Sequence, residues 1–131
     1  MNATVNYLAV LVAAIAGFAT GAAWYMTLGK HWLRAVGPVP PMGNKGAIPF
    51  VVSIIANGLM AFVLATLIAR LGGTDLGNAI FIAVLVWLGF VATTIATNNA
   101  FPNRPWMLTA IDSGHWLAVL LVQGLVIGLF G

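Results

Sequence analysis

Residues 49–69 read PFVVSIIANGLMAFVLATLIA, a run without a single charged side chain. An α-helix rises ~1.5 Å per residue, so ~20 apolar residues cross a hydrocarbon core of ~30 Å. Similar stretches cover about residues 7–28, 77–97 and 107–130, and the only acid inside any of the four is Asp112. The sequence therefore predicts an all-α fold, an integral membrane four-helix bundle.

The composition supports the same fold. Hydrophobic residues make up 62% of the chain and charged residues 5%, whereas roughly a quarter of the residues of a soluble domain are charged. A length of 131 residues accommodates one transmembrane domain, residues 1–131, and no extramembrane domain. The first stretch has no Lys or Arg before it and is longer than the apolar region of a signal peptide, so we expect a retained helix.

The links between the spans predict two antiparallel hairpins. Spans two and three are joined by residues 70–76 alone, in which Gly72 or Gly73 suits the left-handed position after a helix and Thr74 or Asp75 suits the N-cap. The longer first link, residues 29–48, begins with a basic and apolar segment typical of a short interfacial helix. We expect Pro38, Pro40 and Pro41 to end it, and Pro105 to open span four.

The basic residues predict an orientation. Lys30, Arg34, Lys45 and Arg104 lie in the first and third links, and only Arg70 lies in the second. Because Lys and Arg in short loops favour the cytoplasm, we expect a multi-pass protein of the inner (plasma) membrane with both termini outside. Trp24, Tyr25, Trp32 and Trp106 then lie near the cytoplasmic interface, as an aromatic belt. Because the five Lys and Arg side chains are dispersed, we expect them to contact lipid headgroups of the bilayer, and we predict no nucleic-acid partner.

Polar residues of several spans fall at similar depths in the cytoplasmic half. We expect Asn57, Thr94, Asp112 and His115 to form one pocket or polar network there. A charge in hydrocarbon costs at least ~2.5–3.5 kcal/mol, so Asp112 should face the interior, a wet cavity or a partner. Two interpretations stay open: a site that responds to protons or cations, with a small-molecule or ion ligand, and a structural hydrogen-bond network.

Enzymatic and metal chemistry find little support. The chain has no Cys, which excludes disulfides and Cys-ligated metals. Two separated His do not form a metal site, and Ser113 cannot combine with Asp112 and His115 in a relay because adjacent positions on one helix point in different directions. We expect no cofactor, no metal and no enzyme. Trp87 and Trp116 are expected to be packing residues whose N–H groups are bonded inside the bundle, with a ligand-stacking surface as the alternative.

Small residues recur at helical spacing. Gly17 and Gly21 form one small-x-x-x-small stripe in span one, and Gly124 and Gly128 form another in span four. Such stripes let helix backbones approach closely. They serve either packing within the chain or an interface between copies, and we predict a homo-oligomer, with a dimer favoured, through the stripe of span one or of span four.

Several motifs together resemble a bacterial family of small membrane proteins, the domain of unknown function numbered 1761. They are GAAWY at residues 21–25, LGKHW at 28–32, WLGF at 87–90, residues 101–105, and IDSGH at 111–115. The resemblance implies a four-helix membrane protein and supplies no activity. The family's last motif more usually reads Ile-Asn-x-Gly followed by an aromatic residue, so Asp112 and His115 stand here for an amide and an aromatic ring. That difference favours a hydrogen-bonding role for Asp112.

Two classes of function follow. One is a small transporter, a channel-like protein or a ligand-binding bundle with a polar pocket in its cytoplasmic half. The other is a structural or accessory membrane subunit that acts through helix packing and oligomerisation.

Overall fold

The computed structural model describes residues 4–38 and 46–131. In that part of the chain four long helices are present: α1 (Tyr7–Val36), α2 (Ile48–Arg70), α3 (Leu76–Ala100) and α4 (Trp106–Phe130). Each is long and apolar enough to cross a membrane, which confirms the predicted four-helix fold. Lys45, Pro40 and Pro41, which the sequence analysis placed in the first link, lie outside the described residues.

Helix α1 differs most from its predicted span. The predicted interfacial segment after Gly29 is a direct continuation of α1, which ends only at Val36. The helix begins with the Asn6 side chain accepting hydrogen bonds from two backbone N–H groups, and it ends where Gly37 adopts a φ of 79°. Thirty residues correspond to ~45 Å of helix, so about three turns extend past a ~30 Å core. The other helices differ from the predicted spans by at most three residues at either end.

The turn between α2 and α3 is held by side-chain hydrogen bonds. Gly72 and Gly73 both have positive φ, at 112° and 93°. Both candidate glycines therefore adopt the left-handed conformation. Of the two candidate caps, Asp75 caps α3, because its carboxylate accepts from the backbone N–H of Asn78 at 3.0 Å. The Asn78 amide in turn donates to the carbonyls of Leu71 and Gly73 at 2.9 and 2.8 Å.

Helix α4 organises the packing. It lies along both α1 and α3, α1 also packs on α2, and α2 touches α3 and α4 much less. The two predicted hairpins, α1–α2 and α3–α4, are thus joined mainly through α1 and α4. Small apolar side chains fill the half of the bundle near the α2–α3 turn; the cluster comprises Ala13, Ala61, Leu64, Ala65, Ile68, Ala79, Ile82, Ala83, Leu120 and Ile127.

The glycine stripes lie inside the bundle. A Cβ added at Gly17 would lie 2.6 Å from Asn57 and Gln123, and one at Gly124 would lie 3.1 Å from the backbone of α3. Gly21 and Gly128 likewise face neighbouring helices of the same chain. Both stripes therefore serve packing within the chain, and a dimer through them, as the sequence suggested, would require a surface that is already occupied. The homo-oligomer itself stays a prediction, on some other face.

Candidate functional site

Two tryptophans attach α1 and α3 to the same short segment of α4, residues 111–115. The indole Nε1 of Trp24 donates to the carbonyl of Ile111 at 3.0 Å, and that of Trp87 donates to the carbonyl of Ser113 at 2.7 Å. The Trp87 bond agrees with its predicted packing role. Because an indole N–H in an apolar bundle needs an acceptor, these bonds fix the position of α4 between its neighbours.

The segment of α3 that carries Trp87 is a π-helix, Trp87–Ala92, inside an otherwise α-helical element. Such wide turns are rare and are frequent at functional sites. Trp87 is the first residue of the wide turn and the one that bonds α4. The local geometry of α3 is thus altered at the point where the site is assembled.

Two glycines, which have no side chain, leave room for the aromatic rings around this segment. A Cβ on Gly114 would lie 2.9 Å from Cζ2 of the Trp24 ring, and a Cβ on Gly21 would lie 2.6 Å from Nε2 of His115. Any larger residue at Gly114 or Gly21 would therefore displace a ring. These two glycines let α1 and α4 come together at the site.

Asp112 is bound by Tyr25. The Tyr25 hydroxyl donates to Oδ1 of Asp112 at 2.5 Å, within the range of hydrogen bonds from a hydroxyl to a carboxylate. Both residues are half-buried. The expected partners of Asp112 were Asn57, Thr94 and His115, but no hydrogen bond to them forms among the described residues.

An open cleft of about 820 Å³ borders this pair. It lies at the end of the bundle where α1 and α3 end and α2 and α4 begin, which we call the basic end because Lys30, Arg34 and Arg104 lie there. Every helix contributes to the cleft wall, which comprises Tyr25, Gly29, Trp32, Leu33, Pro49, Phe50, Ile95, Asn98, Asn99, Asp112 and Trp116. The cleft is mostly apolar and aromatic, with few polar groups.

Asn98 and Asn99, at the end of α3, are site residues that the sequence analysis missed. Asn99 is buried, its amide donates to the hydroxyl of Thr109 at 3.2 Å, and its carbonyl accepts from the backbone N–H of Arg104. The sequence does contain a signal for these residues, a pair of adjacent amides near the end of a helix. The predicted span three ends at residue 97, however, so the prediction places both amides in the link that follows.

A second polar pair lies deeper in the bundle, remote from the cleft. Nε2 of Gln123 donates to the backbone carbonyl of Asn57 at 3.2 Å and approaches its Oδ1 at 3.4 Å. The Asn57 amide donates to the carbonyl of Ser53 at 2.9 Å. Gln123 and Asn57 are 0% and 2% exposed, so this pair is closed to solvent and lipid.

The structure thus separates the four residues predicted to form one pocket. Asp112 lines the cleft, while Asn57 belongs to the deep pair with Gln123. His115 is 8% exposed and packs between Tyr25 and Trp116, with ring centroids 4.8 and 4.4 Å apart. Thr94 is exposed, and its hydroxyl donates to the carbonyl of Phe90 on its own helix, which is the usual way for a lipid-facing Thr to satisfy its hydroxyl.

The cleft offers the chemistry of non-covalent binding. Within the described residues no three His, Asp or Glu side chains gather as a metal would require. The hydroxyl of Ser113 donates to the carbonyl of Thr109 at 2.6 Å, one turn back on the same helix. What the cleft presents is one carboxylate, two carboxamides and several aromatic rings.

The motifs that carry the family resemblance converge on this site. Trp24 and Tyr25 of α1 and Trp87 of α3 all bond to residues 111–113 of α4. No curated protein and no solved structure matches the chain significantly. A family model does match residues 8–128, nearly the whole length. The chain therefore belongs to the family described as "Protein of unknown function (DUF1761)".

Proposed function

We propose that this protein binds a small molecule in the cleft at the basic end of its bundle. The observation that carries the proposal is that walls from all four helices surround about 820 Å³, with the Asp112 carboxylate facing it. Ligand sites are concave, mostly apolar and equipped with a few placed polar groups, and this cleft has that composition.

Two further features support binding over the alternatives. The buried apolar cluster fills the half of the bundle beyond the cleft, which favours a closed binding site over an open channel through one chain. The Ser113 hydroxyl is directed to its own helix, which favours binding over covalent catalysis. The proposed role is therefore that of a binding or carrier protein without enzymatic activity.

The proposal includes an orientation with the cleft open toward the cytoplasm. Lys30, Arg34 and Arg104 lie at the basic end, and Arg70 lies at the opposite end. The excess of basic residues supports a cytoplasmic location for the basic end, with both termini on the other side. A C-terminal reporter that is active only outside the cytoplasm should give activity; a reporter active only inside should give none.

A cleft-filling variant tests the binding. Gly29 lies in the cleft wall, and a Cβ there meets no atom within 4 Å, so Gly29→Phe adds a ring without disturbing the packing. Gly58→Phe is the matched control, because Gly58 has the same free space and lies outside the cleft.

The probes are four molecules with one decyl chain and different headgroups: decanol, decanoate, decylammonium and decyltrimethylammonium. Native mass spectrometry of the protein released from phosphatidylglycerol nanodiscs counts bound probe per chain. We expect at least one probe to bind wild type and Gly58→Phe at one per chain, and Gly29→Phe to lose it. Equal occupancy in Gly29→Phe, or no probe bound at all, would refute the proposal.

A further inference from the structure

We propose that the ligand of this cleft is an amphipathic cation, whose ammonium group lies against Asp112 and whose apolar part lies along the cleft wall. This inference rests on the proposed binding function and adds the chemical class of the ligand. Three features of the cleft support it: an acid that no Lys or Arg of the described residues accompanies in the cleft wall, a row of aromatic rings beside that acid, and apolar side chains in the same wall.

The first feature is the acid in the cleft wall. Asp112 is the only charged residue in the cleft wall; no Lys or Arg among the described residues lines it. Among the described residues, the carboxylate accepts one side-chain hydrogen bond, from the Tyr25 hydroxyl to Oδ1. The second oxygen, Oδ2, receives no hydrogen bond from the described residues. A carboxylate within a membrane span is costly unless it is paired, and a bound cation would supply the missing partner.

The aromatic rings lie next to this carboxylate. The centroids of Trp32 and Tyr25 are 6.1 Å apart, those of Tyr25 and His115 are 4.8 Å apart, and those of His115 and Trp116 are 4.4 Å apart. The rings therefore form a continuous row that passes Asp112, and three of the four line the cleft. Aromatic faces attract ammonium groups within ~6 Å of the ring centroid, most strongly when the cation is desolvated.

The row gives Trp116 the ligand-stacking role that was the alternative to packing. Trp116 was expected to bond its N–H inside the bundle, as Trp87 does. In the described residues its indole takes part in no hydrogen bond to another side chain or to a carbonyl of a neighbouring helix, and its ring lines the cleft edge-on to His115. An aromatic ring at a cleft surface is available to a ligand, whereas a packed one is not.

The remaining wall fits an apolar ligand body. Leu33 of α1, Pro49 and Phe50 of α2 and Ile95 of α3 also line the cleft. Each CH₂ group that is buried adds to the binding affinity, so an alkyl or aromatic body contributes binding that a simple inorganic cation would lack. The acid, the aromatic rings and the apolar side chains together favour an amphipathic cation over Na⁺ or K⁺.

Headgroup preference tests the inference, with the same decyl probes in phosphatidylglycerol nanodiscs. Wild type should bind decylammonium and decyltrimethylammonium at least about tenfold more tightly than decanol, and decanoate least. Asp112→Asn should reduce this preference to about twofold or less while still binding decanol. Asp75→Asn is the charge-matched control: it changes the only other acid of the chain, at the opposite end, and should leave the preference intact.

Two aromatic variants keep the test independent of Asp112. Trp116→Leu and Trp32→Leu should each weaken decyltrimethylammonium several-fold more than decanol, because only the cation gains from the ring faces. Equal binding of decanol, decanoate and the two ammonium probes by wild type would overturn the inference but leave the cleft as a binding site. Failure of all four probes would remove the binding function itself.

The ammonium group could belong to a free molecule or to a lipid headgroup. Replacing part of the phosphatidylglycerol by phosphatidylethanolamine distinguishes the two. Competition of phosphatidylethanolamine with decylammonium for one place per chain would support the inference and identify a lipid as its source. Unchanged decylammonium binding would support the inference with a free amphipathic amine as the ligand.

Discussion

The deep Asn57–Gln123 pair and the Tyr25–Asp112 pair are two polar clusters of this bundle that are built in opposite ways. The deep pair is uncharged, almost completely buried and bordered by a glycine. The cleft pair contains an acid, is half-buried and borders a large cleft. Both link helices that are distant in sequence, α2 with α4 in one case and α1 with α4 in the other.

The contrast separates two uses of polar groups in a membrane protein. Buried amides between helices contribute to packing, because their alternative is an unsatisfied group in hydrocarbon. An acid at a cleft contributes less to stability and is available to a ligand. We therefore expect substitutions at the deep pair to alter mainly the free energy of unfolding, and substitutions at the cleft pair to alter mainly binding.

The largest effect on stability is expected for Gly17→Leu. The new side chain would meet Asn57 and Gln123 at distances where no Cβ fits, so the deep pair must separate, at a cost of about 3 kcal/mol in free energy of unfolding. Titration with sodium dodecyl sulfate measures it. Gly58→Leu is the control, with free space around its Cβ and an expected change within about 0.5 kcal/mol.

The same variant tests where the stripe of α1 acts. If Gly17→Leu left stability unchanged and instead lowered the mass of the assembly in nanodiscs, the stripe would serve an interface between copies. That result would contradict the placement of Gly17 inside one chain.

A smaller effect is expected for Gln123→Leu, at about 1.5 kcal/mol. The substitution keeps the volume but removes the donor to Asn57, whose buried oxygen then loses its partner across the helices; the loss of such bonds in membranes reaches ~1.7 kcal/mol. Thr66→Val is the control, since the Thr66 hydroxyl bonds only to its own helix. Equal stability of Gln123→Leu and Thr66→Val would show that the deep pair contributes nothing to folding.

Asp112→Leu should cost about 1 kcal/mol, less than Gln123→Leu, because Asp112 is half-buried and the Tyr25 hydroxyl can turn to water in the cleft. Asp112→Asn should cost less than about 0.5 kcal/mol, since an amide oxygen still accepts the Tyr25 hydrogen bond. Thermal unfolding of both variants beside wild type measures the difference. A cost for Asp112→Asn as large as that of Gln123→Leu would remove the distinction between the two clusters.

A similarly small effect is expected for Tyr25→Phe, at about 0.5 kcal/mol, because the ring contacts with Trp32 and His115 remain and only the hydroxyl is lost. Its effect on decyltrimethylammonium binding should also be small, as the carboxylate and the rings remain. Tyr25→Leu, which removes the ring, should weaken that binding several-fold. Similar binding by the Phe and Leu variants would exclude the Tyr25 ring from the site.

The sequence predicted the fold well and the site in part. Charge-free runs of ~20 residues leave no alternative to membrane-spanning helices, and short links force neighbours to be antiparallel, so the number and order of helices followed directly. Asp112 was identified as the site's acid because acids are rare in such spans. Thr94 was predicted to join the site only because it lies at a similar depth in the membrane. Depth does not indicate on which face of the helix a residue lies.

What the sequence determined by itself was therefore local: the spans, a cap at Thr74 or Asp75, the glycine turn and the excess of basic residues at one end. The tertiary structure decided which groups meet. Asn57 pairs with Gln123 rather than Asp112, at a place where Gly17 of α1 leaves room for both side chains. Contacts between helices depend on rotation, tilt and close packing of four surfaces at once, and no single helix carries that information in its own sequence.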